Sequence, residues 1–190
     1  AISFSSADSD YTKGDISTGW ADKTNSQTII NAVNGLSPKG GTNWQLAMQK
    51  ADEKLGGTAE SKNAKYVIFL SDGKPTYYYD EWGKETGDGN NFEQEGLDNA
   101  VEEVKSSTYL KNATIYSVYL TGGDTQTRMT EFATKVNAAG GHAVAIDGTN
   151  MDAAIQRILN SILTPAYKDV KIEDTLSTYV DFAEEHPTFT

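Results

Sequence analysis

Cysteine is absent from this chain, and histidine and proline are scarce: two His and four Pro among 190 residues. Without cysteine there is no disulfide framework. Neither His142 nor His186 stands in a metal-ligand spacing such as His-Glu-x-x-His. Basic charge is short as well, with 16 Lys and Arg against 27 Asp and Glu, a net charge of −11. That excludes the basic footprint needed for nucleic acid or an anionic membrane surface. No apolar run is long enough to cross a bilayer, and no signal peptide is present. A Gly-x-Ser-x-Gly nucleophile elbow, a phosphate loop and a dinucleotide fingerprint are missing too. Catalysis is not expected. Hydrophobic residues make up 37% of the chain, which is low, but their periodicity is that of a packed core.

What is present is an alternation of apolar runs and amphipathic stretches, the pattern of an α/β sheet with helices on both faces. Strands are expected at Ile2–Ser6, 65–71, 113–120 and 142–147, with a short edge strand over Asp15–Trp20. Helices are expected around Ile29, Ile30, Val33 and Leu36, and from Trp44 to Leu55 with Trp44, Ala47, Met48, Ala51 and Leu55 on one face. Further helices run over 92–107 and 125–139, and a last one starts at an Asn150 cap and stops at Pro165. Beyond it, Tyr167–Asp174 and Ser177–Phe182 alternate as antiparallel strands do. The organisation read from this is an α/β domain over 1–164 and a β-strand tail over 165–190.

The run Val67-Ile68-Phe69-Leu70-Ser71-Asp72-Gly73-Lys74-Pro75-Thr76 carries the most information. A continuous apolar run reads as a buried parallel strand, and ligands of open α/β sheets bind beyond the carboxyl ends of strands. Asp72 stands there, either as a functional acid or as the first half of an Asp-Gly turn. Upstream, Gly40-Gly41-Thr42-Asn43-Trp44 leads into a helix. Thr42 or Asn43 can cap that helix. A Thr hydroxyl close to a strand-end Asp also suits a hard cation such as Mg²⁺, which takes oxygen ligands and keeps several waters.

Together these two motifs resemble the von Willebrand factor type A domain over about residues 1 to 164, in particular the kind found in Gram-positive surface and pilus-tip adhesins. The resemblance implies a Rossmann-like, mostly parallel sheet and a metal-ion-dependent adhesion site. In that site Thr42 would meet the metal directly or through water, and Asp72 would accept from metal-bound water. The family's Asp-x-Ser-x-Ser loop does not occur anywhere in this sequence. Ile2–Ser6 corresponds to the second strand of the family, so the first strand, its two serine ligands and the first helix are expected upstream of Ala1. The implied ion is Mg²⁺, or Mn²⁺ or Ca²⁺, bound in the parent protein and weakly or not at all by this chain alone. The implied partner is a protein or extracellular-matrix ligand with an acidic group, met outside the cell by a wall-attached surface or pilus protein. There is no nucleic acid partner and no direct membrane insertion. A metal-independent structural scaffold is the alternative.

Tyr77-Tyr78-Tyr79-Asp80-Glu81-Trp82 opens a long stretch beside Asp72 that reads as a loop. Tyr77, Tyr78, Tyr79 and Trp82, with Asn43, are the candidate ligand-binding residues, unless the tyrosines pack down over the sheet edge. Asp80 with Glu81, or Asp88, offers carboxylates for Ca²⁺, though without EF-hand spacing. In the tail, the resemblance to a stalk domain makes Lys168 or Lys171 a candidate for an isopeptide crosslink, and otherwise an ordinary surface lysine.

Overall fold

Three apolar runs that return to one direction need helices between them, and that requirement sets the architecture. The computed structural model describes residues 2–5, 14–15, 26–35, 40–57 and 63–163. In chain order the strands are β1 (Ile2–Ser3), β2 (Gly14–Asp15), β3 (Tyr66–Ser71), β4 (Tyr77–Tyr79), β5 (Glu85–Gly87), β6 (Thr114–Tyr119) and β7 (His142–Asp147). The helices are α1 (Ser26–Asn34), α2 (Trp44–Gly56), α3 (Gln94–Ser106), α4 (Asp124–Ala138) and α5 (Met151–Leu163).

The protein is α/β. β3, β6 and β7 form a parallel sheet in that order, with Tyr66 opposite Thr114 and Thr114 opposite His142. β1 and β2 pair antiparallel, and so do β4 and β5. Odd-numbered residues of the parallel strands turn to one face and even-numbered ones to the other. Val67, Phe69, Ile115 and Ala143 meet α2, α3 and α4 on the first face, around Trp44, Leu97, Met129 and Phe132. Tyr116, Val118 and Ile146 meet Ala154 and Ile158 of α5 on the second. The first face is the larger core. Its centre is aromatic: Trp44 lies edge-on to Phe69 and to Phe132, with ring centroids 5.4 Å and 6.0 Å apart.

Most expected elements fall within two residues of their places; the first strand, expected over Ile2–Ser6, is Ile2–Ser3, and three further stretches differ. Among the described residues the strand expected over Asp15–Trp20 amounts to Gly14–Asp15, and the rest of that stretch lies outside them. α1 forms where the Ile29, Ile30, Val33 stripe is, but it buries no residue, and Ile30 and Val33 are exposed. The stretch after Asp72, read as a loop, is a β hairpin. The tail over 165–190, including Lys168 and Lys171, lies outside the described residues, as does Leu36.

α3 and α4 are clasped on their outer side by ions. Lys135 reaches Asp98 at 2.6 Å and Glu131 at 3.0 Å, and Arg128 bonds Glu131 at 2.9 Å. Partial burial works against the Glu131 carboxylate, but the hydrogen bonds from Lys135, Arg128 and Gln94 outweigh it and hold its pKa below the ordinary 4.5. The Asp98 hydrogen bond, followed by that of Glu131, holds Lys135 above 10.5. A lowered carboxylate stabilises the fold above its unfolded pKa and stops doing so as pH falls through its folded one. A raised lysine stabilises below its unfolded pKa and stops as pH rises through its folded one. The clasp is therefore complete between about pH 5 and pH 10. Urea midpoints measured against pH should show a plateau there. Glu131→Gln should flatten the acid limb and Lys135→Met the alkaline one, each by no more than about 1 kcal/mol because the groups are partly solvated. Equal pH profiles in wild type and both variants would refute this.

Candidate functional site

Three loops meet at the carboxyl end of β3. The first, Gly40–Asn43, precedes α2; the second, Asp72–Thr76, follows β3; the third, Leu120–Gly123, follows β6. Their backbones are tied together. Thr42 donates its N–H to Thr76 Oγ1 at 2.9 Å, and its carbonyl accepts from the N–H groups of Thr76 and Tyr77 at 2.8 and 3.1 Å. The Asp72 carbonyl accepts from the hydroxyls of Thr121 and Thr125 at 3.0 and 3.1 Å. The buried Trp44 indole donates to Ser71 Oγ at 3.3 Å, and that hydroxyl in turn bonds the Gly73 carbonyl at 2.7 Å.

These ties leave two oxygen-bearing side chains unspent. Among the described residues, neither the Thr42 hydroxyl nor the Asp72 carboxylate makes a hydrogen bond. The two loops touch: a Cβ placed on Gly73 would lie 3.2 Å from Thr42 Oγ1. Asp72 is exposed and Thr42 half-buried. Lys74 and Asp124 pair at 3.1 Å across the rim of the same loops. A hydroxyl and a carboxylate on neighbouring loops are the kind of hard oxygen groups that divalent cations take, six or more oxygens at a time. Among the described residues no three His, Asp or Glu side chains gather into a metal-holding group.

Asn43 has a different place. It is fully buried, its carboxamide oxygen caps α2 by accepting from Leu46 N–H at 2.9 Å, and its amide reaches Glu85 at 3.3 Å. It holds the hairpin to the helix start and has no surface for a ligand.

The hairpin β4–β5 rests on α2 and α3. Tyr79 N–H donates to Gln45 Oε1 at 2.8 Å, and Asn99 donates to the Tyr79 carbonyl at 3.2 Å. The Tyr77 ring lies over Gly41, where a Cβ would collide with it. Tyr77, Tyr78 and Tyr79 are half-buried, and only Trp82 at the turn stands clear, 80% exposed. Burial, and then the carboxylates of Glu95, Glu93 and Asp80, push the Tyr78 hydroxyl above its ordinary pKa. The acids considered for Ca²⁺ are turn formers. Asp80 accepts from Trp82 N–H and Lys84 N–H at 3.0 and 2.9 Å, and Asp88 from Asn90 N–H and Asn91 N–H at 2.8 and 2.7 Å. Those bonds hold the Asp88 carboxyl below its usual range.

The sequence reading named Thr42 and Asp72 but not the residues that tie their loops. Ser71, Thr76, Thr121 and Thr125 are ordinary polar residues in sequence, and the local signal available was their clustering at strand ends. A scan against protein-family models finds no match for this chain, and searches of curated proteins and of solved structures find no significant match.

Proposed function

We propose that this chain is the ligand-binding part of a bacterial surface or pilus adhesion module of the von Willebrand factor type A kind. Thr42 and Asp72 would contribute to a metal-ion-dependent adhesion site whose remaining ligands come from outside residues 1–190. One observation carries the reading. Two residues thirty positions apart in sequence are brought into touching loops at the carboxyl end of a parallel sheet, with their backbones tied to Thr76, Tyr77, Thr121 and Thr125, and the Thr42 hydroxyl and Asp72 carboxylate are left without hydrogen bonds among the described residues. A Mg²⁺ held there would offer a coordination position to an acidic group of a ligand. Asp72 would hold a metal-bound water, and Thr42 would bind the ion. Trp82 and the outer edges of Tyr78 would meet the ligand beyond the acid.

The test has two arms. Residues 1–190 titrated with Mg²⁺ or Mn²⁺ in a calorimeter should bind far more weakly than micromolar, because two donors cannot replace six. A micromolar affinity would overturn the need for outside ligands. In the complete polypeptide, chelation and Asp72→Ala should each abolish capture of an acidic protein ligand. The rival reading is a metal-independent scaffold, favoured by loops that backbone and hydroxyl hydrogen bonds already tie together. It predicts that neither treatment matters.

A further inference from the structure

We infer that the outer face of the β4–β5 hairpin, with Trp82 at its tip, is a docking surface for an arginine-bearing polypeptide segment. The inference rests on the proposed function only in taking the hairpin as a ligand-facing surface, and it needs no metal at Thr42 and Asp72. The hairpin has two unlike sides. The Tyr77 ring lies over Gly41, and the buried Asn43 reaches Glu85, so this side is turned toward the start of α2. Tyr78 and Thr86 stand opposite each other in register and share the other side. Between them the chain turns through Trp82, which is 80% exposed. Asp80 fixes that turn: its carboxylate accepts from the N–H groups of Trp82 and Lys84 and lies 3.5 Å from Thr86 Oγ1. A large aromatic side chain held out in water by a braced turn is the kind of residue that anchors an interface.

The charge around these rings selects the occupant. From Tyr77 to Glu95 six acids stand against one base, Lys84, so this stretch carries −5 of the chain's −11. Among the described residues the side chains of Glu81, Glu93 and Glu95 make no hydrogen bond or ion pair. Burial comes first in raising the Tyr78 hydroxyl, and the carboxylates of Glu95, Glu93 and Asp80 follow, so all three lie within electrostatic reach of that ring. Cations are drawn to aromatic faces. Arginine answers both features, since its planar guanidinium stacks on a ring and forks to a carboxylate. Three other occupants fit less well. A single metal ion needs acids gathered about one point, and among the described residues no three gather so. A second copy would bring −11 against −11. A neutral glycan could stack on Trp82, but it gains nothing from the charge of the carboxylates, which offer it acceptors only.

The experiment is an NMR titration of residues 1–190 in EDTA, which keeps its result separate from any metal binding. The probe is a synthetic peptide of arginines spaced by Gly and Ser. The control peptide carries citrulline, the neutral isostere, at each arginine. The arginine peptide should shift the Trp82 indole N–H and the amides of Tyr78, Thr86 and Glu95. Its binding should weaken about tenfold or more as salt rises from about 50 to about 300 mM. Trp82→Ala should weaken it about three- to fivefold, and Glu93→Gln with Glu95→Gln at least as much. Glu53→Gln with Glu102→Gln removes the same charge from exposed positions elsewhere on α2 and α3, and should leave the affinity nearly unchanged. Unaltered hairpin cross-peaks in each free variant show that the fold is kept. Three outcomes would overturn the inference. One is an equal response to the citrulline peptide. Another is an equal loss of affinity in the two Glu pairs, which makes the attraction a matter of net charge. The third is no response of Trp82 to the arginine peptide; a response to maltoheptaose in its place makes the occupant a glycan.

Discussion

Trp44→Ala should remove about 3–5 kcal/mol of stability, the range for deleting a large buried aromatic. That is a large share of the roughly 5–15 kcal/mol that holds a domain of this size together. The side chain is completely buried between Phe69 and Phe132, in edge-to-face geometry with both. Its removal leaves a cavity at the junction of sheet, α2 and α4, bordered by Phe69 and Phe132. Its indole N–H also restrains the Ser71 hydroxyl, which turns the chain into Asp72 and Gly73. Trp44→Phe separates the two roles: it keeps most of the volume and loses the hydrogen bond, so it should cost about 1–2 kcal/mol. Urea denaturation of both variants is the measurement. A Trp44→Ala loss below about 1 kcal/mol would show that this cluster does not centre the core.

Gly87→Ala should be nearly as damaging, for a local reason. Gly87 has φ +130°, a conformation L side chains rarely adopt, and an added Cβ would run into the Thr76 carbonyl and lie 3.0 Å from the Tyr77 Cα. Both obstacles are backbone, so neither can swing aside. Backbone strain and overpacking each cost about 1–3 kcal/mol, which puts the expected loss at about 2–4 kcal/mol. The damage should spread to the Thr42 loop, because Thr76 is its hydrogen-bond partner. Gly83 is the control. It has φ +73° but nothing within 4 Å of an added Cβ, so Gly83→Ala should cost about 1–2 kcal/mol and leave the Thr42 amide in place. Urea midpoints and the NMR shifts of Thr42 and Tyr77 distinguish the two. Equal effects would refute the steric argument.

The hairpin that Gly87 closes is also where reading the chain failed. β3, β6 and β7 announce themselves because a strand buried in a parallel sheet is apolar nearly throughout, and α2 because Trp44, Met48, Ala51 and Leu55 recur at helical spacing. β4 and β5 have three residues each. They are held by Gln45, Asn43 and Asn99 from helices distant in sequence. No local pattern encodes such support. For the same reason Asn43 was legible as a cap but not as the residue gripping Glu85. In the site, the bond-forming residues Thr76, Thr121 and Thr125 matter only through pairings across 34 to 53 positions. α1 shows the converse: an apolar stripe is visible in the sequence, yet among the described residues it buries nothing.

The order of the sheet has a consequence for how the chain acquires its shape. β3, α3, β6, α4 and β7 follow in order, with the β4–β5 hairpin set into the connection between β3 and α3, and each strand of the parallel sheet lies beside the next one of that sheet. The β6–α4–β7 unit has the shorter crossover and closes at the smaller entropic cost, so this segment can assemble early. β6 is the only strand with neighbours on both sides among the described residues, so it is the seam along which the assembly zips and the last part to come apart. α2 then completes the core by bringing Trp44 and Met48 to the first face of the sheet, and the Thr42 and Asp72 loops meet only when it docks. The candidate binding surface is thus closed by the same docking of α2 that completes the apolar core.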